Sequence, residues 1–224
     1  MAGSYGVTEQ LIVPREEVFD KVRKALGRSP GQPVPPPPPV WSRIPDWPVS
    51  ERVERFSKAL EKLAGKPVYA ESREVARRYV EERIAGKTAV ASNAPFLADC
   101  GIATLPGVET GFADAAALRS ACASADVGLT SADYALADTG TLVMLSSREE
   151  ARLVSLLPPA HIAVIPESRI LPNLDALLAI LPMPAEQTSA MVLITGPSRT
   201  ADIEQILVRG VHGPGEIHVV IVKE

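Results

Sequence analysis

Cysteine is nearly missing from this chain. Cys100 and Cys122 are the only two, and they stand in no C-x-x-C spacing. A zinc site or an iron–sulfur cluster held by this chain alone is therefore excluded as an expectation, and a structural disulfide is not expected either. Basic excess is missing too. With 23 Lys and Arg against 27 Asp and Glu, the net charge is -4, and no cluster is dense enough to neutralise a run of phosphates, so no nucleic-acid partner is expected. No apolar run reaches membrane-spanning length, and the opening residues lack the basic start and apolar stretch of a secretory leader. No membrane insertion and a cytoplasmic location are the resulting expectations. The chain also lacks a G-x-G-x-x-G after its first strand and a G-x-x-x-x-G-K-[ST] anywhere, which argues against dinucleotide and NTP sites of those types.

Proline is plentiful, but unevenly spread. Residues 15–26 carry Val18, Phe19, Val22, Ala25 and Leu26 on one stripe and read as a short amphipathic helix. Pro30 to Pro48 then contains nine of the 21 prolines, including the run Pro35–Pro39, which predicts an extended polyproline arm. Trp41 and Trp47 lie in the same stretch, and we expect them to pack back on the domain rather than stay exposed. The expected organisation is residues 1–49 as helix plus arm and 50–224 as one globular domain.

From Ser50 onward, short apolar strands alternate with helices of about three turns. Strands are predicted at 67–70, 88–91, 161–165, 191–194 and 217–222. Helices are predicted from Ser50 and Ser72, over 113–123, over 148–157 and over 172–181. The apolar runs 127–129 and 142–145 are too close for a long crossover helix, so antiparallel pairing is expected there. This predicts an α/β fold whose mixed, mostly parallel sheet is flanked by helices. The run Met191–Ile194 reads as a strand buried on both faces. Beyond the turn Thr195–Thr200, the spacing of Ile203, Ile206 and Leu207 predicts a helix from Ala201, whose N-terminus would receive an anion.

In open α/β sheets, ligands gather outside the carboxyl ends of the strands. The polar turns that qualify are Ser92-Asn93, Asp138-Thr139-Gly140-Thr141 and Thr195–Thr200, with the loop at His212 expected beside the last. Their hydroxyl and N–H donors, with Arg199, suit a small carboxylate or phosphate. The expected binding set is Thr139, Gly140, Thr141, Thr195, Gly196, Ser198, Arg199 and Thr200. For proton transfer the candidates are His212, Asp138 and Glu109. No metal site is expected.

Read together, four runs resemble the lactate-utilization protein C family, also called the LUD-domain family: Ala137–Thr141, Leu157–His161, Thr195–Glu204 and Gly210–Pro214. The resemblance implies a fold like that of the NagB/RpiA/CoA transferase superfamily. It also implies a part in oxidising L-lactate to pyruvate beside partner proteins that carry the iron–sulfur clusters, this chain binding a small anionic ligand and holding no cofactor of its own. The alternative expectation is a freestanding isomerase, CoA-transferase or cyclo-ligase-like enzyme acting on a phosphorylated or thioester substrate.

Overall fold

A computed structural model describes residues 14–33, 36, 42–201, 207–210 and 212–224. The chain divides into two compact units, 1–41 and 42–224. The first contains helix α1 (Arg15–Ala25), with Phe19 between the guanidinium groups of Arg15 and Arg23. Most of the Pro35–Pro39 run, and Trp41, lie outside the described residues. Trp47 packs against the core of the second unit, under the Arg55 guanidinium at 4.0 Å.

The second unit runs, in chain order, α2 (Val49–Lys62), β1 (Lys66–Ala70), α3 (Arg73–Ile84), β2 (Ala89–Ala91), α4 (Pro95–Asp99), β3 (Val108–Glu109), α5 (Ala115–Ser124), β4 (Val127–Ser131), β5 (Tyr134–Leu136), β6 (Thr141–Leu145), α6 (Leu153–Leu156), β7 (Ala160–Pro166), β8 (Ile170–Leu171), α7 (Leu174–Ile180), α8 (Pro184–Gln187), β9 (Met191–Ile194), β10 (Arg199–Ala201), β11 (Leu207–Arg209) and β12 (Glu216–Val222). Side-chain caps start three of the helices: Ser72 accepts from the Val75 N–H, Asp114 from that of Ala117, and Asn173 from that of Ala176.

The main sheet has six strands in the order β1-β12-β7-β4-β2-β3, every pair parallel. Its central strands are apolar on both faces because both are covered. Along β12, Val220 and Val222 join a cluster with Ala76, Val80 and Ile84 of α3 and Leu97 of α4. The alternate residues Ile217, Val219 and Ile221 meet Phe56 and Leu60 of α2, together with Ala135, Leu142 and Met144. Those last three belong to a second sheet, β8-β5-β6-β9, stacked on the first. Its outer residues Leu136 and Val143 pack on Leu177 of α7. Burying a side chain such as Phe56 or Leu60 is worth roughly 1.5–3 kcal/mol, so α2 is fastened mainly by these two.

The elements depart from the sequence expectation at four places. Residues 127–129 and 142–145 do not pair with each other, because β4 stays in the parallel sheet while β6 takes β5 as its antiparallel partner in the other. The predicted helix over 148–157 shrinks to Leu153–Leu156, since Ser147 and Glu150 are engaged at the sheet edge instead. Strand β9 is not buried on both faces; it lies at the end of the second sheet, with Leu193 44% exposed. The helix expected from Ala201 does not begin there, because Ala201 lies in β10, where Arg199 pairs antiparallel with Arg209, Thr200 with Val208 and Ala201 with Leu207; residues 202–206, on which the rest of that expectation falls, lie outside the described residues. Thr200 and Val208 are β-branched, which suits a strand pair better than a helix. Ile203 and Ile206 lie outside the described residues.

Candidate functional site

Two of the polar turns singled out in the sequence do meet. Thr141 Oγ1 lies 2.7 Å from Thr139 Oγ1 and 2.9 Å from Thr195 Oγ1, so three hydroxyls form a chain across β6 and the end of β9. The seam is pressed against the C-terminal turn of α2. Gly140 has φ +66°, and a Cβ there would stand 2.5 Å from the Leu60 nitrogen; Gly196 has φ +85°, and its Cβ would stand 2.9 Å from Leu63 Cβ. Both positions require glycine for conformation and for space. Arg199 donates from Nη2 to the Leu63 carbonyl, one of the acceptors that a helix end leaves unpaired. These contacts describe a packing joint. Among the described residues no helix N-terminus supplies a dipole or free N–H groups to this joint, because Ala201 is in a strand.

The loop carrying His212 also adjoins, as anticipated. Ser198 donates its N–H to the Pro214 carbonyl at 2.8 Å, and Gly210 donates to the Ser198 carbonyl at 3.1 Å. His212 itself is exposed. Asp138 and Thr139 line a cleft of about 450 Å³ with Trp47, Lys58 and Lys62 of the α2 side. Glu109 is exposed on the outermost strand of the main sheet. The catalytic candidates thus lie on separate elements: Glu109 on β3, Asp138 on the turn between β5 and β6, His212 on the loop before β12.

The parallel sheet forms a different site at its carboxyl edge. From β2 the chain enters α4 on one face of the sheet, whereas from β4 it enters the second sheet on the other face. Strand order also reverses here, since β3 lies to one side of β2 and β4, β7 and β12 to the other. Loops that part in this way leave a crevice. Here it measures about 590 Å³, lined by Phe96, Ser131, Asp133, Glu150, Arg169 and Glu224 among others. That size suits a small-molecule site.

Glu150 is its central group. Only 5% exposed, its Oε2 accepts from Ser92 Oγ at 2.8 Å and from the Ser131 N–H at 3.2 Å, which stitches the ends of β2 and β4 together. Its Oε1 is buried with no hydrogen-bond partner among the described residues. Burial pushes the carboxyl up to about 8, against the pull of Ser92 and Ser131 and with a further push from Asp133. Asp133 is also raised by burial, while its Oδ2 accepts from the Leu145 N–H at 2.7 Å. Next to it, the Asn93 N–H donates to the Glu149 carbonyl, and Asn93 Oδ1 accepts from Gly111 and Thr110, so the Ser92-Asn93 turn is fully engaged. Arg169 stands over the Tyr134 ring at 5.4 Å and acts on Asp133 only as a nearby charge. Among the described residues no carboxylate lies within ion-pair distance of it.

Sequence reasoning marked Ser92-Asn93 as a qualifying turn but missed Glu150, Asp133 and Arg169. The sole signal was a pair of adjacent glutamates after Ser146-Ser147, which reads equally well as a solvated helix start. A wider hollow of about 820 Å³ beside α5 is mainly apolar and buries no ionisable group. The two thiols are buried in separate clusters, with Cys100 pushed up to about 11 by burial. No described helix is long and apolar enough to cross a membrane.

The family model described as LUD domain matches residues 53–222. Lactate utilization protein C of Halalkalibacterium halodurans is 43% identical over 104 residues, covering 45% of this chain and 45% of that protein. The protein of the same name from Bacillus subtilis is 40% identical over 104 residues, covering 45% of this chain and 43% of that one. The matched region thus spans less than half the length of these relatives. A solved structure of a DUF162 family protein from Deinococcus radiodurans superposes with a TM-score of 0.59 over 79% of this chain and 99% of that one, at 17% identity. That likeness shows a common fold.

Proposed function

Because the chain belongs to the LUD-domain family, we propose that it serves lactate utilization as a ligand-binding subunit, and that the crevice at the carboxyl ends of β2 and β4 holds the small acid. Relatives named lactate utilization protein C support the process. The observation that carries the site is Arg169, a guanidinium without a carboxylate partner among the described residues, lining the same crevice as a buried carboxyl. A planar fork of donors suits the carboxylate of lactate or pyruvate.

Oxidising L-lactate to pyruvate releases two electrons and two protons. In this proposal the electrons leave through partner subunits bearing iron–sulfur clusters, since both thiols of this chain are buried apart in apolar clusters. Binding and orienting the acid fall to this chain, in the cytoplasm.

The test is calorimetric titration of the chain with L-lactate and pyruvate, followed by reconstitution with the iron–sulfur subunits. Arg169→Ala should weaken binding by about 10- to 150-fold, the value of roughly 1.5–3 kcal/mol for a charge-assisted hydrogen bond. Lactate-dependent reduction of an acceptor should appear only in the mixture. Unaltered affinity in the variant would remove the acid from this crevice. Turnover of a thioester or phosphorylated substrate by the chain alone would favour the freestanding enzyme instead.

A further inference from the structure

Glu150 has a chemistry that its neighbours leave half used. Its Oε2 already takes two donors, the Ser92 hydroxyl and the Ser131 N–H, while Oε1 is buried and has no partner among the described residues. A carboxyl so arranged places its proton on the idle oxygen, because the other is saturated with donors. The result is a buried O–H without an acceptor among the described residues, on a side chain that lines the crevice. Such a group costs free energy until something accepts from it.

We infer that Glu150 donates through Oε1 to an oxygen on the second carbon of the bound acid, so that the crevice selects 2-oxo and 2-hydroxy acids over plain carboxylates. This rests on the reading that the crevice holds a small acid at Arg169. The two groups divide the ligand between them: the guanidinium takes the carboxylate, and the neutral carboxyl recognises the oxygen next to it. A carboxylate kept neutral by an apolar setting is suited to donating such a bond. Here burial holds Glu150 neutral up to about pH 8. The charged groups that line the crevice with it are Asp133 from the end of β4, Glu149 from its own turn, Arg169 from the turn after β7, and Glu224 beyond β12. Of these, Asp133 makes ionisation of Glu150 harder, and Arg169 is the cation left for the ligand.

Titration of the full chain with pyruvate, L-lactate and propionate separates the possibilities, since propionate keeps the carboxylate but lacks the oxygen. At pH 6.5 pyruvate and L-lactate should bind roughly 5- to 150-fold tighter than propionate, the span of one buried hydrogen bond. Glu150→Leu should erase that ratio while propionate still binds. Glu150→Gln retains a donor and should keep the preference. Raising the pH through about 8 should weaken pyruvate binding by wild type and leave the Gln variant flat. Equal affinity of wild type for pyruvate and propionate overturns the inference while the site at Arg169 stands. A preference that survives in Glu150→Leu overturns it as well. If none of the acids binds, the underlying reading fails and takes this one with it. Should the Leu variant not fold, the wild-type ratio and the Gln pH profile decide.

Discussion

Arg199 is exposed beside the C-terminal end of α2, and its surroundings favour a structural role over anion binding. The guanidinium donates to the carbonyl of Leu63, the residue that closes α2, so it acts as a side-chain cap at the negative end of that helix. Being exposed, such a contact is worth about 0.5–1.5 kcal/mol. Arg199→Ala should therefore lower the melting temperature by roughly 2–6 °C, and leave lactate and pyruvate affinity unchanged. Differential scanning calorimetry with and without ligand checks both halves; an unaltered melting point with lost anion affinity would restore the binding role. The turns themselves were legible from their residues, because Gly-Pro and Asp-Thr-Gly runs have few other uses. Which polar groups would be left unpaired was not legible. Glu150 becomes a buried carboxyl only because β2 and β4, 35 or more residues apart in the chain, end side by side.

At the scale of elements, the strands and helices with strong periodicity came through: α2, α3, α5, β7 and β12 lie within a few residues of their predicted places. Two of the departures, at β6 and at β9, share one cause. A short apolar run announces burial but not its partner, so β6 and β9 looked like members of the main sheet, whereas stacking placed them in a second one. The joint between that second sheet and α2 passes through Gly140, where any side chain would meet the α2 backbone and where φ is +66°. Gly140→Ala should cost about 3 kcal/mol or more, from left-handed strain together with overpacking. Gly86 is the control. It has φ +73° with nothing within 4 Å of a built Cβ, so Gly86→Ala should cost only the conformational part, about 1–2 kcal/mol. Urea unfolding of both variants measures the difference; equal costs would mean that the α2 contact yields without penalty.

The whole molecule carries opposing titrations at the two ends of its main sheet, and together they shape its stability against pH. At the carboxyl edge, Glu150 moves from an ordinary 4.5 up to about 8, so between those values the folded state holds a proton that the unfolded state has lost, and stability falls as pH rises. Three groups act the other way. His161, buried with Nε2 at 2.8 Å from Thr130 Oγ1, drops from 6.5 to about 4 by desolvation, so stability is lost as pH falls across that window. At the amino edge Glu216, held by Lys66 and His218, drops from 4.5 to about 2, and its contribution fades below 4.5. His218, lowered chiefly by burial and bonded to Tyr79, adds to the same acid-side loss. From pH 4.5 to 6.5 the Glu150 and histidine slopes oppose each other, and above 6.5 only Glu150 is left. The chain should thus be most stable on the acid side of neutrality and lose stability from pH 6.5 to 8, read as a falling urea midpoint at constant m-value. Glu150→Gln should flatten that decline and leave the acid limb in place, because it removes the proton without removing His161 or Glu216. A wild-type midpoint that stays level from pH 6.5 to 8 would mean that Glu150 is already ionised in the folded protein, and the neutral donor in the crevice would go with it.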